Sequence, residues 1–295
     1  MPIAPANGID IAYETFGDPA DPTILLIMGL GAQRVMWDDG VCALLVARGL
    51  HVVRFDNRDV GQSTWIDAPG LDIGTAVMEV LSGDTSNVPY LLSDMAADAV
   101  GLLDHLGIES AHLMGASMGG MIAQTIAIEH PARVLTLTSI MSNTGEPGYG
   151  EPSPELATVL LAPRPTDREG IIESGIAIQR AIASEHFDEV RTRAVVELSY
   201  EQGFNPDGVG HQLLATLASA PGPKAWRGWT CLRSSSTVAR TSSSASAAAS
   251  ARRSSSPVPT SWRSTTWPTT SRGSTGPNAP TRYPRSSTAP PEQEI

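Results

Sequence analysis

Residues 111–120 read AHLMGASMGG, an apolar run leading into Gly115-Ala116-Ser117-Met118-Gly119 and then into a helical pattern. A sharp strand-to-helix turn lifts a serine hydroxyl clear of the backbone but forces that serine into a strained conformation. Glycine is needed two residues to either side, because side chains there would collide with neighbouring backbone. The helix that starts at the turn aims its first amides at developing negative charge. The pentad alone recurs by chance in unrelated chains. Placed between a buried strand and a helix, it points to attack on a carbonyl by Ser117. The resulting tetrahedral intermediate needs two hydrogen-bond donors, and the Met118 amide supplies one. Met28-Gly29-Leu30-Gly31, directly after another apolar run, makes the Leu30 amide the expected second, although an ordinary glycine turn would have the same sequence.

The elements that must hold these groups alternate over the first 142 residues. Strands are expected at Thr23–Met28, His51–Asp56, Ala111–Gly115 and Val134–Met141. Helical spacing covers Trp37–Arg48, Ser93–Leu106 with Ser93 as its cap, and Met118 to about Glu129, where Pro131 ends the helix. Strands this apolar, separated by helices, imply a mostly parallel sheet covered on both faces, an α/β fold. After a Gly- and Pro-rich stretch at 145–165, residues 167–217 read as several helices with no strand between them, the pattern of a cap over strand ends. The expected organisation is a core at 1–145, a helical cap at 146–220 and a tail at 221–295.

A chain of 295 residues with 41% hydrophobic content can bury one ordinary core. Its net charge of -11 argues against nucleic acid or an anionic membrane as partner, since both demand a basic surface. Cys42 and Cys231 alone make neither a disulfide framework nor a metal cluster, so no metal or cofactor is expected. Residues 1–20 lack a signal-peptide pattern, and no apolar run approaches the roughly 20 residues that span a bilayer. A cytoplasmic protein is expected; nothing in the sequence sets an oligomeric state.

Residues 1–220 resemble the α/β-hydrolase superfamily through MGLG after the third strand, Asp56-Asn57-Arg58-Asp59-Val60-Gly61-Gln62-Ser63 after the fourth, and GASMGG at the elbow. The stretches FGDPADPTILLIMG, GLHVVRFDNRDVGQST and MAADAVGLLDHLGI are especially similar to actinobacterial esterases that include the anthracycline methylesterases. The resemblance implies a serine carboxylic-ester hydrolase acting on a small-molecule ester through an acyl-enzyme. A methyl ester on a polyketide, in antibiotic biosynthesis, is the implied substrate. The same scaffold also carries perhydrolases and haloperoxidase-like enzymes, and an inactive hydrolase-fold binding protein stays open as well. In this family the segment holding Asp56 and Arg58 fixes the loop after the fourth strand, so both are expected to be scaffold rather than catalytic.

The family order is serine, then acid, then histidine. After Ser117 come His130, His186 and His211; His51, His105 and His112 precede it. His130 falls at the end of the elbow helix, and His186 and His211 fall in the helical stretch, so each is expected to be a surface or cap residue. No catalytic acid or histidine is identifiable.

The tail offers an explanation. Residues 1–220 carry 10 Arg, no Lys and 29 acids, whereas 221–295 carry 10 basic residues and 2 acids. As written, this Ser-, Thr-, Pro- and Arg-rich segment predicts disorder. GC-rich genes concentrate G and C at the third codon position, and a reading displaced by one base moves that position to the codon middle. A middle G or C permits only Ser, Pro, Thr, Ala, Cys, Trp, Arg and Gly. From Ala225 to Pro291, 62 of 67 residues belong to that set, against 100 of 219 in residues 1–219, so the tail is expected to be an out-of-frame reading of the C-terminal core. Regrouped by one base, Trp229-Thr230 forces an Asp, Ser234–Ser236 as TCN codons become three residues drawn from Leu, Ile, Val and Phe, and Thr237-Val238 can encode His-Gly with Thr241 as Asp. Trp267 to Arg272 can become Met-Ala-His-Asp-Leu-Pro, similar to the family's catalytic-histidine loop.

Overall fold

β3 (Thr23–Ile27) and β4 (His51–Phe55) are buried at every position. In the computed structural model, which describes residues 1–145, 152–160, 162, 165–183 and 187–219, both lie inside a six-stranded sheet of order β1-β2-β4-β3-β5-β6. β1 (Ile3–Ala6) and β2 (Ile9–Phe16) pair antiparallel across a two-residue turn, where Asn7 and Gly8 take φ of 49° and 81°. Positive φ at both positions is what such a tight hairpin requires, and Asn-Gly tolerates it best. β2 meets β4 antiparallel; β4, β3, β5 (Ala111–Ala116) and β6 (Val134–Ile140) then run parallel.

The apolar strands feed two cores, one on each face. On β3, Leu25 and Ile27 join the larger cluster with Val53, Phe55 and Leu113, while Ile24 and Leu26 join a smaller one with Val52, Trp37 and Cys42. With both faces covered, nearly every strand position faces a core, which explains the near-continuous apolar runs, and the buried Thr23, His51 and Arg54 of the same strands are hydrogen-bonded. α3 (Leu92–His105) and α4 (Met118–Glu129) cover the first face with Met95, Leu102, Ile122 and Ile126; α1 (Asp39–Val46) covers the second through Cys42. α2 (Ile73–Ser82) is a further helix that the apolar spacing did not announce.

The start of α3 differs from expectation. The Asp94 carboxylate reaches back to the Leu91 amide at 2.7 Å, fixing the first turn at Leu91 and placing Ser93 inside the helix rather than at its cap.

After β6, α5 (Pro154–Leu160), α6 (Arg168–Ile182), α7 (Glu189–Gln202) and α8 (Pro206–Ala218) follow with no strand between them among the described residues. Asp167, Asp188 and Asn205 cap the last three by accepting from the amides of Gly170, Arg191 and Gly208. Arg193 of α7 pairs with Glu169 of α6, and α8 rests on α2 and on the loops after β3 and β4. Among the described residues no helix is long and apolar enough to cross a membrane.

Candidate active site

Ser117 sits between the last residue of β5 and the first of α4, with φ 53° and ψ −122°. Positive φ is rare for a residue with a side chain and costs on the order of 1–3 kcal/mol. The surroundings impose it. A Cβ on Gly115 would lie 2.1 Å from the Gly119 carbonyl oxygen, and one on Gly119 would lie 2.2 Å from that of Ile27. The Ser117 amide donates to the Ile140 carbonyl at 2.9 Å, anchoring the turn to β6. Ser117 itself is exposed.

The loop after β3 comes directly to this serine: a Cβ on Gly29 would stand 3.0 Å from the Ser117 Cβ and 3.6 Å from its Oγ. Gly29 to Ala32 form a turn closed by the Ala32 amide on the Gly29 carbonyl at 3.1 Å, with Gly31 at φ 66°. Positive φ at the second central residue alone makes it type II. Met118, as the first residue of α4, has an amide with no intrahelical acceptor. The sequence-predicted Ser117, Met118 and Leu30 therefore lie at one junction of β3, β5 and α4.

Asp56 and Arg58 do what a scaffold does. Fully buried, the Asp56 carboxylate accepts from the amides of Arg34 at 2.8 Å and Gln62 at 3.1 Å and pairs with the Arg34 guanidinium. Burial pushes this carboxyl up in pKa, and Arg34 opposes the rise. A Cβ on Gly61 would lie 2.2 Å from Asp56 Oδ2, so this turn too admits only glycine. Arg58 grips Asp98 through two bonds of 2.6 Å, and Asn57 donates to the Met28 carbonyl at 3.0 Å, tying the two loops together.

The histidines divide. His130 ends α4; His51 and His112 bond Thr23 and Thr136, and His105 packs on Tyr13. His186 lies outside the described residues, as do residues 220–295 with the regrouped acid and histidine segments. His211, expected as a surface or cap residue, lies on α8 of the helical stretch but is only 3% exposed, with its Nδ1 3.1 Å from Asp59 Oδ2. That carboxylate also accepts from the Tyr90 hydroxyl at 2.7 Å and the Ile66 amide at 2.6 Å. Burial and the Asp59 charge hold the Tyr90 phenol far above its ordinary range, so it remains a donor. Among the described residues no imidazole or carboxylate is hydrogen-bonded to the Ser117 hydroxyl.

A cavity of about 140 Å³ opens between the loop after β3 and the helices above it. Leu30, Ile171, Ile178, Val196, Phe204 and Val209 make most of its wall apolar. Gln33 and Gln212 went unremarked in the sequence. The Gln33 amide donates to the Ser199 and Gly203 carbonyls at 2.7 Å each, and Gln212 reaches Gly31.

A mostly parallel sheet with helices on both faces and a strained serine at the β5–α4 turn defines the α/β-hydrolase class. Residues 22–185 match the family model described as alpha/beta hydrolase fold, and the chain belongs to that family. It is similar to rhodomycin D methylesterase DnrP of Streptomyces peucetius, 30% identical over 224 residues covering 68% of this chain and 69% of that one. Similarity also extends to 3-oxoadipate enol-lactonase 2 of Acinetobacter baylyi, 28% identical over 43% of this chain and 40% of the relative. Among solved structures, the enol-lactonase from Burkholderia xenovorans LB400 shares the fold at a TM-score of 0.52 and 21% identity, over 75% of each chain.

Proposed function

We propose that the protein hydrolyses carboxylic esters through Ser117. The observation that carries this reading is the Ser117 backbone, held at φ 53° at the head of α4 with Gly29 against its side chain. In this reading the Ser117 oxygen attacks the ester carbonyl and its proton passes to a base. The Leu30 and Met118 amides hold the oxyanion, the alcohol leaves with a proton, and water then releases the acid from the acyl-enzyme. Similarity to a rhodomycin D methylesterase supports a methyl ester on a polyketide of the anthracycline kind as substrate, and the apolar cavity wall suits such a skeleton. A fluorophosphonate probe tests the serine: labelling at Ser117, lost together with hydrolysis of short p-nitrophenyl esters in Ser117→Ala, is the expected result. Labelling at another residue would overturn it.

The Ser117 hydroxyl, without an imidazole or carboxylate partner among the described residues, favours a second reading, a hydrolase-fold binding protein that keeps the pocket without turnover; ligand binding without labelling is its signature. We reconcile the intact elbow with the missing base by proposing that the segment after about residue 219 is read out of frame and that acid and histidine lie in the other frame. The composition of 225–291 is the main support. The position of β6 agrees with it: the strand has only β5 beside it among the described residues, and past Val134 none of its residues is buried.

A further inference from the structure

Gln212 is fully buried on α8, 181 residues along the chain from the amide it serves. Its side-chain oxygen accepts from the Gly31 N–H at 2.8 Å, and its side-chain NH2 donates to the Arg58 carbonyl at 2.8 Å. A backbone N–H on one side and a backbone C=O on the other permit only one orientation of this amide group. Val209, one helical turn earlier on the same face, packs on the same glycine, 3.0 Å from where a Gly31 Cβ would be.

We propose that Gln212 is a positioning residue for ester hydrolysis: by holding the Gly31 N–H it clamps the Gly29–Ala32 turn to α8, and so keeps the Leu30 N–H, carried by the preceding peptide, beside Ser117. The proposal rests on the reading of Leu30 as an oxyanion donor. The Gly31 N–H belongs to the central peptide of the turn at Gly29–Ala32, one peptide on from the one that carries the Leu30 N–H. Gly31, with φ 66° and no side chain, offers little resistance of its own to movement of the turn. The resistance comes from Gln212: a turn that moves away from α8 withdraws the Gly31 N–H and leaves a fully buried amide oxygen without a donor.

α8 can serve as the fixed point because it is anchored independently of this loop. Asn205 donates to the Asp59 carbonyl at 3.2 Å, and His211 meets the Asp59 carboxylate at 3.1 Å. The loop after β4, itself held by Arg58 on Asp98, thus carries α8, and α8 carries the turn beside the serine. The Gln33 bonds to the carbonyls of Ser199 and Gly203 grip the same loop from the end of α7.

Two measurements on the full chain test this, with Gln212→Met, which keeps the volume but loses the acceptor, and Gln212→Glu, which when protonated in this buried site keeps both bonds. The first is hydrogen exchange at the Gly31 amide. Protection in the wild type and Gln212→Glu, with exchange faster by about a hundredfold in Gln212→Met, is expected for loss of a buried bond. The second is binding of phenylboronic acid, whose boron takes up the Ser117 oxygen as its proton passes to solvent, giving a tetrahedral anion in the oxyanion site. Affinity should fall roughly tenfold to a hundredfold in Gln212→Met and be restored in Gln212→Glu. A Gly31 amide unprotected in the wild type, or unchanged in Gln212→Met, overturns the proposal. So does a boronate affinity indifferent to Gln212 while Gly31 responds, because the contact is then only structural. Absence of any boronate on wild-type Ser117 removes the serine reading and the proposal with it, and the exchange data separate that failure from the others.

Discussion

Gly119 lies so close under β3 that a methyl group on its Cα would stand 2.2 Å from the carbonyl oxygen of Ile27. Both partners are backbone, one in a central strand and the other in the first turn of α4, so neither can swing aside. Gly119→Ala should push α4 off β3 and cost at least about 2 kcal/mol, the upper range for overpacking a well-filled core. Urea unfolding of the full chain measures this, and a loss below about 0.5 kcal/mol would show that the helix can slide.

Asp98 holds Arg58 in a buried pair, side chains 2% and 8% exposed, and accepts from Asn7 as well. Removing one member leaves a buried guanidinium without its counterion, so Asp98→Ala should cost about 3–5 kcal/mol. The same substitution should leave fluorophosphonate labelling per folded molecule unchanged, since the pair supports a loop and touches no reacting atom. Labelling that collapses at full stability would give the pair a direct part in the chemistry.

Phe204 and Val196 line the cavity above Leu30, away from the serine turn. Truncating either to Ala should change which esters are accepted more than it slows hydrolysis of a small generic ester, because in the proposed reading these side chains face the substrate body rather than the carbonyl. Comparing kcat/KM for a bulky aryl methyl ester and for p-nitrophenyl acetate decides the matter; equal losses on both would make these residues mere supports.

Resequencing the gene between the codons for about residues 219 and 226 tests the displaced frame. A one-base correction there should add two strands, an acid and a histidine, and raise esterase activity above that of the chain as written. An uninterrupted frame would refute the idea.

The elbow and the sheet were legible from residues alone because their constraints are local. Gly115, Ser117 and Gly119 stand at fixed spacing in one turn, and β3, β4 and β5 betray themselves as short apolar runs since both faces of each are covered. That Asp56 and Arg58 fix the loop after β4 came instead from the family resemblance, and their buried bonds agree with it. Asn7-Gly8 signalled the β1–β2 hairpin but went unread, whereas α2 carries a weaker signal because it buries Ala76 alone.

What tertiary structure decided is the set of contacts between residues far apart in the chain. No period or motif links Gln212 to Gly31 or His211 to Asp59; a buried polar side chain looks like an exposed one until the partner that makes its burial tolerable is in place. Sequence by itself determined the fold class and the serine's strained turn, because local sterics and periodicity enforce both. Only packing α8 across the loops after β3 and β4 could determine what braces the turn beside that serine, since a hydrogen bond between distant segments exists only once the chain has closed.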